Sequence, residues 1–289
     1  MIAHQEDDLL LEGDAKRSIR VAPSITVITC TYNAVRYLPD TISSIQAQSY
    51  PNIEWIVIDG GSTDGTVDLI QEYQNLVDYW VSEPDHGIYD AIAKGFEKAH
   101  GEIVCWLNAG DIFMPGALGL VAELFDEYPS VNWMTGMQFT HLPGAKVVSC
   151  FVPAMYSQDL IRCGAYGESL PVIQQESTFF RKKILATVDM VRFRNFKVAG
   201  DLYLWWRFAA RERLVVVCAA FGSFCIHEGQ LSENHELYRQ EASTFLEPVT
   251  MMAWIKTKVQ FPLKYLPRRL KKAVAGDNML VWDKGRGWN

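Results

Sequence analysis

Carboxylate and small polar side chains follow four short apolar runs in the first half of the chain, and these side chains could bind a ligand or take part in a reaction. Thr31 and Asn33 follow the first run, and Asp59, Asp85 and Asp111 follow the later ones. Carboxylates can accept hydrogen bonds from the base and ribose of a nucleotide, and they can hold its diphosphate through a bound divalent cation. These residues therefore predict a nucleotide site.

The elements around these residues alternate between strand and helix. Short runs rich in β-branched and aromatic residues predict strands, and amphipathic stretches between them predict helices. This alternation predicts a parallel, right-handed sheet with helices on both faces, and ligands bind at the carboxyl edge of such sheets. The four polar turns should therefore meet at that edge, with Gly60 and Gly61 forming the second turn. The predicted strands are 24–30, 55–58, 78–82 and 103–107, and the predicted helices are 35–48, 67–73 and 88–100.

Composition indicates a folded chain that can bury one large core. It has 289 residues, of which 49% are hydrophobic. The six cysteines show neither a Cys-x-x-Cys pair nor a metal-ligand spacing with histidine, which disfavours a disulfide framework or a zinc site and fits a reducing, cytoplasmic setting. No apolar run reaches the length of a membrane helix. Residues 214–226 are interrupted by Gly222 and predict two core strands.

The two ends of the chain differ in charge. Residues 1–22 are acidic, resemble neither a secretory signal nor a membrane span, and are expected to form a mobile arm. Seven basic and no acidic residues lie between Pro248 and Gly276, and subtracting them from the net charge of −7 leaves −14 on the rest. Apolar residues interleave with these charges. This pattern is typical of a segment on an anionic membrane surface, and equally of a C-terminal helix pair packed on the domain.

Two common nucleotide motifs are absent from the sequence. Residues 60–65 do not fit Gly-x-Gly-x-x-Gly, and the turn after the first strand has no glycine that could approach a pyrophosphate. No P-loop pattern occurs either. The prediction of a nucleotide site therefore depends on the carboxylate-lined edge.

Four motifs resemble, in the same order, those of the inverting family 2 glycosyltransferases. They are residues 23–33, 48–66, 82–91 and 107–111, and residues 175–181, 199–207 and 227–232 are also similar to the family. The resemblance covers about residues 24–245. It implies an α/β fold of GT-A type, with a Rossmann-like, mixed, mostly parallel sheet flanked by helices.

The resemblance also implies a division of the chain. A single glycosyltransferase domain would span 23–247, with a nucleotide-sugar part at about 23–130 and an acceptor part at about 131–247. A basic amphipathic helical extension would follow at 248–289.

Residue roles follow from the resemblance position by position. Thr31 and Asn33 would line the nucleotide pocket, Asp59 would hold the base or ribose, and Asp85 would lie near the ribose and diphosphate. A lysine at a helix position such as that of Lys94 is more often a solvated surface residue than a phosphate contact. The full nucleotide-sugar set is Thr31, Tyr32, Asn33, Asp59, Ser62, Asp85, Lys94 and Asn108.

The acceptor set consists of Gln175, Glu176 and Trp205. Trp205 and Trp206 could form a platform for a sugar ring. Adjacent residues on a helix point in different directions, so at most one of the two should reach an acceptor, and the other should belong to the core.

The expected metal motif departs from the family. Residues 108–111 carry one carboxylate, Asp111, where many members carry two or three. Mg²⁺ or Mn²⁺ can be held by one or two carboxylates together with substrate phosphates and water, so Asp111 can suffice, with weak affinity for the free ion. His227 is either a further ligand or a histidine at a strand end that only packs.

Asp201 would be the general base. It would remove the proton of an acceptor hydroxyl as that hydroxyl attacks the anomeric carbon on the face opposite the leaving group. Because Asp201 precedes the amphipathic stretch 202–211, a simple helix N-cap is its alternative role.

The implied function is an inverting transfer of a sugar from a nucleotide-diphosphate sugar, with a UDP-sugar expected from the family. The acceptor would be a hydroxyl of a cell-surface glycan or of a lipid-linked precursor. The expected location is cytoplasmic, peripheral on the inner face of the membrane, with no nucleic acid as partner. The reduced metal motif leaves a catalytically silent nucleotide- or glycan-binding protein as the alternative. A nucleotidyltransferase is disfavoured because the chain lacks a glycine- and lysine-rich N-terminal loop.

Overall fold

The structure is a computed structural model that describes residues 22–153, 155–168, 170–263 and 265–289. The acidic arm predicted for residues 1–22 lies outside these ranges except for its last residue. Within the described ranges, no helix combines the length and apolarity needed to cross a membrane.

The first part of the chain alternates between strand and helix as the sequence predicts. The parallel strands begin with β-branched and aromatic residues, and β1, β2 and β3 end at the polar residues Thr31, Asp59 and Ser82. The helices between the strands have apolar residues three and four positions apart. The elements are β1 (Ile25–Thr31), α1 (Leu38–Gln46), β2 (Ile53–Asp59), α2 (Thr66–Glu72), β3 (Tyr79–Ser82), α3 (Ile88–Lys98) and β4 (Ile103–Trp106).

The later part of the chain is more irregular. Its elements are β5 (Ile112–Phe113), α4 (Ala117–Glu127), β6 (Trp133–Leu142), β7 (Lys146–Phe151), α5 (Gln158–Arg162), α6 (Ala165–Glu168), β8 (Thr178–Arg181), α7 (Met190–Arg194), α8 (Gly200–Ala209), β9 (Val215–Ala220), β10 (Gly222–Cys225), α9 (His235–Ser243), α10 (Met251–Leu263), α11 (Arg268–Ala275), β11 (Met279–Leu280), β12 (Trp282–Asp283) and β13 (Gly287–Trp288).

Both parts contribute to one mixed sheet. Its main path runs β11-β9-β6-β8-β4-β1-β2-β3. The pairs among β4, β1, β2 and β3 are parallel, whereas β8 is antiparallel to both β4 and β6. The parallel half therefore brings the ends of β1, β2 and β3 to one edge, and β8 marks the point at which the regular βα winding stops.

The core lies on both faces of the sheet. Alternate residues of β1 enter opposite layers, because side chains alternate along a strand: Ile28 lies with α3, α7 and α8, while Val27 lies with α1 and α4. The C-terminal extension is also part of this architecture, since β11 pairs in parallel with β9 at the sheet edge.

Trp205 belongs to the core, so the prediction that it binds the acceptor is wrong. It is 2% exposed, and its ring stacks between Trp106 and Trp133 at centroid distances of 5.5 and 5.6 Å. Trp206 points elsewhere and packs against Tyr203 and Phe245. The inward face of α8 therefore supports the sheet and presents no ring to a sugar.

The stability of the fold should depend on Trp205 and not on the exposed Trp254. We expect Trp205→Ala to lower the free energy of unfolding by about 3–5 kcal/mol, because it leaves a cavity between two stacked indole rings. Trp254→Ala, the matched control, should cost less than about 1 kcal/mol. Guanidinium unfolding followed by circular dichroism measures both, and equal losses for the two variants would contradict this assignment.

Candidate active site

Asp59 organises the turn that follows β2. The residue is 0% exposed, and its carboxylate accepts hydrogen bonds from the backbone N–H groups of Gly61 (3.0 Å) and Ser62 (2.8 Å). It also accepts from the hydroxyls of Ser62 (2.5 Å) and Ser82 (2.6 Å). Four protein donors thus occupy the buried carboxylate, and the direct contact of Asp59 with a base or ribose stays a prediction.

A second set of hydrogen bonds joins the turns after β1 and β2. The N–H of Asn33 donates to the hydroxyl of Ser62 (2.7 Å), and the N–H of Thr63 donates to Oδ1 of Asn33 (2.9 Å). Asn33 has a positive φ of 48°, a conformation that asparagine tolerates better than most residues. Tyr32 is 65% exposed beside these turns, and the buried hydroxyl of Thr31 has no hydrogen-bond partner among the described residues.

Asp85 lies directly against the turn at Gly60. A Cβ atom on Gly60 would stand 2.6 Å from Oδ2 of Asp85, so a larger residue at position 60 would require the Asp85 side chain to move. The other oxygen, Oδ1, accepts the N–H of Gly87 at 2.8 Å. The half-buried carboxylate of Asp85 thus joins the edge formed by the first two turns.

Lys94 does not extend toward this edge as a free cation. Its ammonium group pairs with Glu83 at 2.8 Å and with Asp90 at 3.8 Å. The prediction that Lys94 binds the nucleotide-sugar is therefore not supported by its contacts, which are those of a helix lysine paired with acids on its own element and the preceding loop.

Asp111 and Glu176 form a buried acidic pair beside β10. Oδ1 of Asp111 accepts the N–H of Cys225 (2.9 Å), and Oδ2 accepts the side-chain amide of Gln175 (3.0 Å). Burial raises the pKa of Asp111, and the pKa of Glu176 is raised well above its usual range, first by burial and then by the charge of Asp111. The pair therefore favours holding a proton, because two carboxylates cannot both ionise easily in one dry site.

The side-chain oxygens around Asp111 are of the type that a hard divalent cation prefers. The carbonyl oxygens of Asn108 and Gln175 and one oxygen of Glu176 are buried without a partner among the described residues. In those ranges no group of three or more His, Cys, Asp or Glu side chains could hold a metal by itself. The donor set fits a cation only if substrate phosphates and water complete its coordination.

His227 stands near this cluster through Tyr37. The two rings stack at 4.3 Å, and the Cβ of Tyr37 lies against Gly110, where an added Cβ would be 3.4 Å away. Nδ1 of His227 is 3.0 Å from the carbonyl of Glu228. Stacking and this local contact account for its position, and metal ligation by His227 stays a prediction.

Asp201 lies in the first turn of α8 and does not cap it, because the N-cap position is Ala199. Oδ1 accepts the N–H of Leu202 (2.7 Å) and the hydroxyl of Tyr89 (3.3 Å). Burial is the largest cause that raises the pKa of Asp201 to about 6. Its negative charge also raises the pKa of Glu176, so it is part of the same electrostatic cluster.

Several site residues were not identified from the sequence. Ser82 was one, although parallel pairing places it opposite Asp59 and its position at a strand end could have indicated it. Tyr89 was another. It contacts Asp201, which lies 112 positions later in the sequence, a separation that no local pattern reveals.

A pocket of about 770 Å³ between α3 and residues 181–186 forms a concave surface that includes none of the candidate residues.

Solved structures identify the fold. The TarS protein of S. aureus in complex with UDP-GlcNAc superimposes with a TM-score of 0.58 and 17% identity, covering 87% of this chain and 70% of that one. A mannosyltransferase from Pyrobaculum calidifontis in complex with GDP-Man and Mn²⁺ gives a TM-score of 0.53 and 16% identity, covering 88% and 75%. The mixed, mostly parallel sheet flanked by helices is thus the GT-A-type fold that the resemblance implied.

Sequence comparison identifies the family. The profile of Glycosyl transferase family 2 matches residues 26–149. The glycosyltransferase TuaG of Bacillus subtilis, assigned to teichuronic acid biosynthesis, is 38% identical over 189 residues, which cover 63% of this chain and 71% of TuaG. An uncharacterized glycosyltransferase of Mycobacterium tuberculosis is 31% identical over 182 residues, but this match spans 66% of its length, just under two thirds. The chain belongs to glycosyl transferase family 2.

The role of Asp59 can be tested without ligand. We expect Asp59→Asn to lower the free energy of unfolding by about 2–4 kcal/mol, because an amide group would face N–H and hydroxyl donors that now find an acceptor. Asp68→Asn, an exposed control in α2, should change it by less than about 0.5 kcal/mol. Urea unfolding measures both. If Asp59→Asn weakened UDP binding at unchanged stability, Asp59 would be a nucleotide ligand after all.

Proposed function

We propose that this protein transfers a sugar from a nucleotide-diphosphate sugar to an acceptor hydroxyl with inversion at the anomeric carbon. The observation that carries the proposal is Asp201, a half-buried carboxylate of raised pKa that belongs to one electrostatic cluster with Asp111 and Glu176. Membership of family 2 supports the reaction type, and the polar edge from Thr31 to Asp85 supports a nucleotide as the carrier of the sugar.

The donor is a UDP-sugar in this proposal, and the support is the likeness to TarS, whose structure holds UDP-GlcNAc. The GDP-Man complex of the archaeal mannosyltransferase makes GDP-mannose the appropriate competing donor. The acceptor is a hydroxyl of a cell-surface glycan or of its lipid-linked precursor, by analogy with the teichuronic acid assignment of TuaG. The reaction would take place at the inner face of the membrane.

Asp201 would act as the general base. The acceptor oxygen forms a bond to the anomeric carbon, its proton passes to the Asp201 carboxylate, and the bond from the anomeric carbon to the diphosphate oxygen breaks. The hydroxyl of Tyr89, 3.3 Å from Oδ1, would orient the carboxylate. A base with a pKa near 6 is mostly ionised at neutral pH and more basic than an ordinary aspartate, which suits proton removal.

A divalent cation would be held by Asp111, with Asn108 beside it and His227 as a further candidate. When bound, the cation would neutralise charge on the departing diphosphate. Gln175 would position the Asp111 carboxylate, since its amide donates to Oδ2, and Glu176 would remain protonated and buried beneath it.

A catalytically silent nucleotide- or glycan-binding protein is the second candidate. It is favoured by the single carboxylate of residues 108–111 and by the lack of a three-ligand metal cluster in the part of the chain that the structure describes. Release of nucleoside diphosphate from a nucleotide-sugar separates the two, because a silent protein would bind the donor and release none.

Substitution of Asp201 tests the proposed reaction. We expect Asp201→Asn to slow UDP release from UDP-GlcNAc, with water or added glycan as acceptor, by about 10²–10⁴-fold while the thermal shift caused by UDP persists. The rate of the unsubstituted enzyme should fall about tenfold per pH unit below about 6, because protonation removes the base.

The control for this experiment is Asp68→Asn, which alters an exposed carboxylate in the first turn of α2. It should retain the full rate. Wild-type turnover by Asp201→Asn would show that another group is the base, and no turnover by the unsubstituted chain with either UDP-GlcNAc or GDP-mannose would favour the silent protein.

A further inference from the structure

The C-terminal helix α10 presents five large apolar side chains to solvent among the residues whose exposure the structure describes. Ala253 is buried and Thr257, one turn later, is half-buried, so these small residues form the side that faces the domain. At 100° per residue, the opposite side and the flanks of the helix carry large apolar residues. These are Met251, Met252, Trp254, Ile255 and Val259, which are exposed by 81%, 61%, 57%, 42% and 58%.

The next helix, α11, exposes two apolar side chains and buries a lysine, which is the reverse of an ordinary surface helix. Its apolar Leu270 and Val274, four residues apart, are 52% and 51% exposed. Lys271 is instead buried, with its ammonium group donating to the carbonyl of Val152 and lying over the ring of Phe151 at 4.9 Å. A surface helix normally buries its apolar stripe, so this arrangement leaves that stripe available to a partner.

The charge of this region limits what the partner can be. Residues 248–276 contain seven basic and no acidic residues. Lys256 is paired with Asp159, but Lys258 lies exposed over the ring of Trp254, and Arg269 is also exposed. A second copy of the chain would bring two such basic surfaces together, whereas an anionic lipid surface offers both opposite charge and an apolar interior.

We propose that the outer sides of α10 and α11 bind the surface of an anionic lipid bilayer. The exposed apolar side chains enter the boundary between headgroups and acyl chains, and Lys258 and Arg269 contact the headgroups. Trp254, with its amphipathic ring, suits that boundary. This proposal does not depend on the sugar transfer proposed above.

The helix contacts also relate this surface to Asp201. α10 packs against α5, and α5 packs against α8, whose first turn carries Asp201. The lipid-binding surface and the proposed base are thus connected by one layer of helices on the same face of the sheet. A bilayer bound there would lie on the α8 side of the protein.

Flotation of the full chain with vesicles tests the proposal. We expect binding to vesicles that contain phosphatidylglycerol and little binding to pure phosphatidylcholine, with weaker binding as salt concentration rises. Each basic residue near such a surface contributes roughly a fivefold factor in affinity, so Lys258→Glu with Arg269→Glu should weaken binding by about 30-fold or more. Replacing Ile255, Val259, Leu270 and Val274 with serine should abolish it at all salt concentrations.

The matched controls alter exposed residues elsewhere. Lys183→Glu with Arg213→Glu has the same charge change, Val191→Ser removes an exposed apolar residue of α7, and both should bind vesicles as the unsubstituted chain does. Asp201→Asn should also bind normally, which separates this proposal from the catalytic one. Absence of binding to phosphatidylglycerol, equal binding to phosphatidylcholine, or a dimer in lipid-free solution that the serine variant dissociates would overturn it.

Discussion

The buried carboxylate of Asp59 is the interaction on which the polar edge of the sheet depends. A carboxylate that is buried away from water needs hydrogen-bond donors from the protein. Two backbone N–H groups and two serine hydroxyls donate these hydrogen bonds to Asp59. Ser62, one of these donors, also receives the N–H of Asn33, and Ser82 belongs to the end of β3. One buried acid therefore fixes the relative positions of three strand ends, and Asp85 rests on the glycine turn that results.

Asp111, Glu176 and Asp201 differ from Asp59 in their hydrogen bonding. These acids have fewer donors than Asp59, and burial is the largest cause of their raised pKa values. Such groups cost stability and are typical of sites where protons move or charged ligands bind. The edge thus has two sections. One section, in the region proposed for the nucleotide, is joined by the hydrogen bonds of Asp59. The other, in the region proposed for the diphosphate and the acceptor, holds the buried acids of raised pKa.

The parallel half of the fold could be predicted because its apolar runs are short, are separated by amphipathic helices and end at polar residues. The antiparallel direction of β8 could not, since a buried four-residue run has the same pattern in either direction. The position of Asp59 at a strand end could be predicted. The burial of its carboxylate could not, because it depends on hydrogen-bond donors from other segments. The ion pair of Lys94 could have been predicted from the sequence, because Asp90 lies four residues earlier on the same helix. Trp205 and Trp206 are equally apolar, so only the packing of α8 determined which one entered the core.

In the proposed binding mode, this edge holds a nucleoside diphosphate with its nucleoside toward Asn33 and Asp85 and its phosphates toward Asp111. A crystal structure of the full chain with UDP and Mn²⁺ tests it most directly. We expect uridine against the turns that follow β1 and β2, and Mn²⁺ held by the Asp111 carboxylate, with Asp201 open to the adjoining space. Uridine bound in the concave surface between α3 and residues 181–186, or a diphosphate bound away from Asp111, would contradict it.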